Sequence, residues 1–108
     1  MRIEYTPEFK RNLRHLAKKY RRIRDDIDPV IQRLAAGEFV GDQIPGVQYT
    51  VFKVRIRNQD GARGKSGGYR LIYCVSSSRT IVLVTIYSKF EQGDISAAQI
   101  RNLLRESE

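Results

Sequence analysis

Apolar residues recur along this chain with two different periods, and the changes of period divide it into elements. Ile3 and Tyr5 alternate with Arg2 and Glu4, which predicts a short first strand over 2–5. Thr6-Pro7-Glu8 then supplies a hydroxyl N-cap, a proline at the first helical position and an acid in the first turn. Phe9, Leu13, Leu16 and Tyr20 follow at spacings of four, three and four, so an amphipathic helix is predicted over about residues 7–19. Ile23, Ile27, Val30, Ile31 and Leu34 extend the helical stripe to a glycine stop at Gly37. Pro29 leaves two readings: a helix from about Arg22 that kinks at the proline, or a shorter helix capped by Asp28. Glu38 to Gln48, with Gly41, Pro45 and Gly46, reads as a loop.

From Val51 the period becomes two. Phe52, Val54 and Ile56 alternate with Lys53, Arg55 and Arg57, so a strand here carries apolar residues on one face and cations on the other. Neighbouring cations lie roughly 6.6 Å apart at strand rise, a spacing that suits successive phosphates of an extended nucleic-acid strand. A glycine-rich loop over Asn58 to Gly68, containing Arg63 and Lys65, leads to Tyr69-Arg70-Leu71-Ile72-Tyr73-Cys74-Val75, and Thr80 to Tyr87 is a β-branched run typical of a central strand. If the first two arms pair as a hairpin, Arg70 lies beside the comb of cations as a further exposed tooth. Ser96 and Gln99 form a capping-box pattern that opens a short helix through Ile100, Leu103 and Leu104. The expected fold is α+β: an antiparallel sheet made of a meander plus the N-terminal strand, a two-helix hairpin packed on one face, a basic surface on the other, and a short C-terminal helix.

Length and charge narrow the partners. At 108 residues the chain suits one domain with a core that needs no metal or disulfide staple. Its net charge of +8 favours a polyanion, with nucleic acid ahead of a membrane surface. The first residues are no signal peptide and no apolar run approaches the length of a membrane span, so a cytoplasmic protein without membrane attachment is expected. The lone Cys74 fits a reducing compartment.

The chemistry available is limited. His15 is the only histidine and stands on a helix among cations, and Cys74 sits within a strand, so neither a Cys/His nucleophile pair nor a zinc site is expected. Asp25, Asp26 and Asp28 suit a helix start better than a two-metal nuclease. Gly64-Lys65-Ser66 fails as a P-loop, because Gln59 stands where the first glycine is required. What remains is a set of Lys, Arg and Tyr side chains, and no metal or cofactor is expected. Such a set can cleave RNA: the nucleophile is the substrate's own 2′-hydroxyl, guanidinium groups bind the extra negative charge of the transition state, and a lysine among other cations can exchange a proton. Tyrosine can stack on a base. Residue types alone describe passive RNA binding as well, and that is the more economical reading of composition.

Phe52-Lys53-Val54-Arg55-Ile56-Arg57, Gly67-Gly68-Tyr69-Arg70-Leu71-Ile72-Tyr73 and Thr85-Ile86-Tyr87-Ser88-Lys89-Phe90-Glu91-Gln92, in the order strand, two helices, meander, resemble the RelE/ParE toxin superfamily over essentially the whole chain, and most closely its HigB-like branch. The resemblance implies the toxin of a type II toxin-antitoxin system, a ribosome-dependent mRNA endoribonuclease (mRNA interferase) that inhibits translation without metal and is neutralised by a cognate antitoxin. It implies as catalytic residues Lys53 and Arg55 for phosphate binding and proton transfer, Arg70 for transition-state charge and Lys89 as a supporting cation. Arg57, Arg63, Lys65, Tyr73 and Tyr87 are then the RNA-binding residues. The family's C-terminal stacking tyrosine has no counterpart after Tyr87, so either Tyr87 stacks instead or the catalytic set differs. Two alternatives stand beside this one: a non-catalytic protein that grips RNA or the ribosome, and a ParE-like inhibitor of DNA gyrase.

Overall fold

The computed structural model describes residues 1–60 and 68–106. In chain order the elements are β1 (Arg2–Tyr5), α1 (Pro7–Lys19), α2 (Ile23–Ala35), β2 (Asp42–Gln43), β3 (Val51–Ile56), β4 (Tyr69–Ser77), β5 (Thr80–Ser88) and α3 (Ala97–Glu106). The α+β class holds, and α1 has the predicted bounds. Its cap is as expected, with the Phe9 N–H donating to Thr6 Oγ1 at 3.0 Å. The same hydroxyl donates to the Val84 carbonyl at 2.6 Å, which fastens the start of the helix to β5. In α2 the first of the two readings is found: the helix is continuous and Pro29 lies inside it. Gly37 takes a φ of 90° just past its end.

The sheet order is β1-β5-β4-β3-β2. The strands β3 to β5 pair antiparallel as expected and β2 adds antiparallel to β3, but β1 runs parallel to β5, so the sheet is mixed rather than antiparallel. The helical hairpin is the crossover that makes this possible, since a parallel neighbour requires a long connection across one sheet face. The first strand has the predicted bounds, whereas β2 is an unpredicted two-residue edge piece within the Glu38 to Gln48 loop, paired to Phe52 and Lys53.

Both sheet faces carry a core. On the helix side Phe9, Leu16, Ile23, Ile27 and Leu34 pack on Val54, Ile56, Leu71, Leu83 and Ile86. A bulge makes this set possible: Ile72 pairs with Thr85 but Tyr73 with Leu83, so Val84 is an extra residue. Leu83 and Ile86, three apart, would otherwise point to opposite faces. On the other face Ile100 and Leu104 of α3 close over Val51, Ile72, Cys74 and Val84. The capping box is formed on both sides, with the Ser96 N–H donating to Gln99 Oε1 at 2.9 Å and the Gln99 N–H to Ser96 Oγ at 3.1 Å. The face expected to be basic is therefore basic only where α3 leaves it open.

Candidate nucleic-acid interface

The open end of the second face is built from β3, β4 and the turn after β5. Register sets the neighbours: Arg55 lies opposite Arg70, Arg70 opposite Tyr87, and Lys53 opposite Ile72. Because paired residues share a face, Lys53, Arg55 and Arg70 stand together on the side away from α1 and α2. Lys89 follows β5 directly, and its N–H donates to the Gly68 carbonyl at 2.9 Å. Gly68 itself has a φ of +71°, and a Cβ there would lie 2.3 Å from the Ile56 carbonyl oxygen. Only glycine fits between the end of β3 and the start of β4, and the turn bearing Lys89 hangs from it.

These cations meet an acid. Asp94 Oδ1 lies 2.9 Å from Lys89 Nζ and 3.8 Å from Lys53 Nζ. The hydrogen bond from Lys89, followed by the Lys53 charge and then a contribution from Arg70, holds the Asp94 carboxyl below its ordinary range. Lys53 from β3, Arg70 from β4 and Lys89 from the turn after β5 thus act on one carboxylate. The lysines were expected among cations alone, and the structure corrects that. Sequence reasoning missed Asp94 because it stands in an aperiodic stretch; its only signal was an acid five positions after Lys89.

Arg70 departs from the exposed tooth expected of it. It is 6% exposed, and its Nη1 donates to the Tyr69 carbonyl at 3.2 Å. Arg55 and Arg57 are exposed and carry no ion pair among the described residues. Arg57 lies just past the end of β3. Arg63 and Lys65 lie outside the described residues.

Two of the expected RNA-binding residues are not available. Tyr73 is on the helix side with no exposed surface, its ring stacked on Phe52 at 5.2 Å and its hydroxyl donating to the Val40 carbonyl at 2.5 Å. Burial pushes its phenol up to about 12. Tyr87 is 4% exposed beneath the loop before α3, where its hydroxyl accepts from the Ile95 N–H at 3.4 Å. Both rings are spent on packing, and neither can stack on a base. Among the described residues, no group of three or more His, Cys, Asp or Glu side chains could hold a metal ion, and no helix is long and apolar enough to cross a membrane.

A mixed sheet with a helical hairpin on one face and cations from adjacent strands gathered on the other defines a small basic α+β protein equipped to hold an anion. The chain belongs to the family described as ParE toxin of type II toxin-antitoxin system, parDE, whose model matches residues 3–93. It is therefore a toxin of that kind, and a cognate antitoxin is its partner. The matched span takes in Lys53, Arg55, Arg70 and Lys89 and stops just short of Asp94. No curated protein matches the chain.

Proposed function

We propose that this toxin, of the HigB-like branch, is a ribosome-dependent mRNA endoribonuclease that works without metal and arrests translation by cutting message. The observation that supports this best is the convergence of Lys53 and Lys89 on a single carboxylate oxygen, with Arg70 on the neighbouring strand adding to the same field and Arg55 beside Arg70. A position at which two ammonium groups address one carboxylate oxygen is a position for a phosphodiester oxygen.

The reaction requires little else from the protein. The 2′-oxygen of the substrate attacks the adjacent phosphorus and gives up its proton, the bond from phosphorus to the 5′-oxygen breaks, and that oxygen takes up a proton. A cyclic 2′,3′-phosphate and a 5′-hydroxyl result. In this scheme Lys53 and Arg55 bind the phosphate and serve the proton transfers, Arg70 holds the charge that grows on the non-bridging oxygens, and Lys89 supports it. Arg57, Arg63 and Lys65 bind the flanking strand.

A translation extract tests the assignment. Site-specific message cleavage that requires ribosomes is the expected outcome, and Lys53→Ala should weaken it. Arrest with intact message would instead mark a non-catalytic ribosome or RNA binder. Loss of DNA supercoiling with normal translation would mark a gyrase inhibitor, the activity associated with the ParE name.

A further inference from the structure

The cation cluster already holds an anion, and that anion belongs to the molecule itself. Building on the nuclease reading, we propose that Asp94 is an internal competitor for the substrate: its carboxylate occupies the place where Lys53 and Lys89 take a phosphodiester oxygen, and an incoming RNA strand must displace it. Both ammonium groups address the same oxygen, Oδ1, as they would a non-bridging phosphate oxygen.

The contact is suited to being broken. The Asp94 side chain is 58% exposed, so although its two partners are about a third exposed or less, solvent screens the pairs from the Asp94 side and their contribution to stability is small. Asp94 lies between the turn after β5 and the start of α3, in neither helix nor strand. Its neighbour Ile95 is anchored through the N–H to Tyr87 and packs against the α3 cluster. Release of Asp94 therefore needs only rotation of its own side chain, with the backbone held in place. A phosphodiester arriving there gains the exposed Arg55 as well, so exchange favours the nucleic acid over the carboxylate.

The test is binding of a 2′-O-methyl RNA oligonucleotide, which has no free 2′-hydroxyl to attack, followed by fluorescence anisotropy over a series of salt concentrations. Asp94→Asn is expected to bind about fivefold more tightly at low salt, with a slope of log affinity against log salt steeper by about 0.7, the value for one more unit of protein charge left for a single strand to neutralise. Lys53→Ala and Lys89→Ala are expected to weaken binding. In the wild type, the Asp94 carboxyl carbon should shift on titration with the same oligonucleotide. Binding by Asp94→Asn that is unchanged or weaker, or a carboxyl resonance that does not move, would overturn the proposal and make Asp94 a fixed support for the two lysines. If Lys53→Ala still binds less well in that case, the nucleic-acid reading survives. If neither lysine variant changes binding, the anion site is absent and both readings fall.

Discussion

At the scale of single residues, Arg70 carries the most consequence. A guanidinium reduced to 6% exposure must keep its hydrogen bonds, because a buried charge without them is expensive. Arg70 is thus at once part of the sheet and part of the cation cluster, and truncation disturbs both. Arg70→Ala is expected to lower stability by about 2 kcal/mol, the range for losing a buried polar network, and to abolish cleavage. That variant alone does not separate the roles. Arg70→Lys retains the charge and most of the stem but loses the planar, bidentate donor pair. It should melt close to the wild type and cut message about a hundredfold more slowly, the usual loss when one transition-state donor is removed. Wild-type cleavage by Arg70→Lys, measured with the same melting temperature, would show that any cation suffices at this position.

At the scale of elements, α3 decides how much of the second face is open. Its start rests on the reciprocal Ser96 and Gln99 bonds, and Ile100 and Leu104 cover Cys74, which is 3% exposed. Burial also raises the Cys74 thiol above its ordinary range, so little thiolate is present at neutral pH. Removing the cap with Ser96→Ala should weaken the helix by about 1 kcal/mol and speed alkylation of Cys74 about fivefold through local opening of α3. An unchanged alkylation rate would mean that Cys74 is reached only by global unfolding. The elements also show what a sequence discloses. Thr6-Pro7-Glu8 and Ser96 with Gln99 are local signals, since cap and helix lie within a few residues, and both helices begin where those signals place them. The alternation of Phe52 to Arg57 likewise separated core from cations. The parallel pairing of β1 with β5 was not legible, because Arg2 and Thr80 are far apart in the chain and meet only through that non-local strand pairing. Nor was the bulge at Val84, which leaves the hydrophobic run unbroken while changing its faces. The burial of Tyr73 and Tyr87 followed from those same non-local choices, as did the meeting of Asp94 with Lys53.

At the scale of the whole molecule, one sheet face is given entirely to cohesion and the other is divided between α3 and the cations. The closed face has its own titration. Tyr69 and Tyr73 are without exposed surface there, and Tyr69 packs edge-on against Tyr20 at the end of α1, 5.8 Å between ring centroids. The Tyr69 hydroxyl has no hydrogen-bond partner among the described residues. Desolvation by burial is the leading cause that raises both phenols, and Tyr73 moves from 10.0 to about 12. A group whose folded value is raised stabilises the fold fully below its unfolded value, and that contribution is lost as pH rises towards the folded value. Stability should therefore hold up to about pH 10 and fall steadily towards pH 12. Because these rings sit in the cluster shared by α1, α2 and the central strands, unfolding ionises them at a lower pH than the fold does. Their phenolate absorbance in the near ultraviolet should appear together with the loss of far-ultraviolet circular dichroism. Lysines titrate over the same range, so Tyr73→Phe is the control: it retains the stacked ring but has no proton to lose, and should move the alkaline midpoint upward. Phenolate signals from Tyr69 and Tyr73 that develop while the dichroism stays native would mean that the helix-side core admits water, and with it the rigid backing on which the alignment of Lys53, Arg55 and Arg70 depends would be lost.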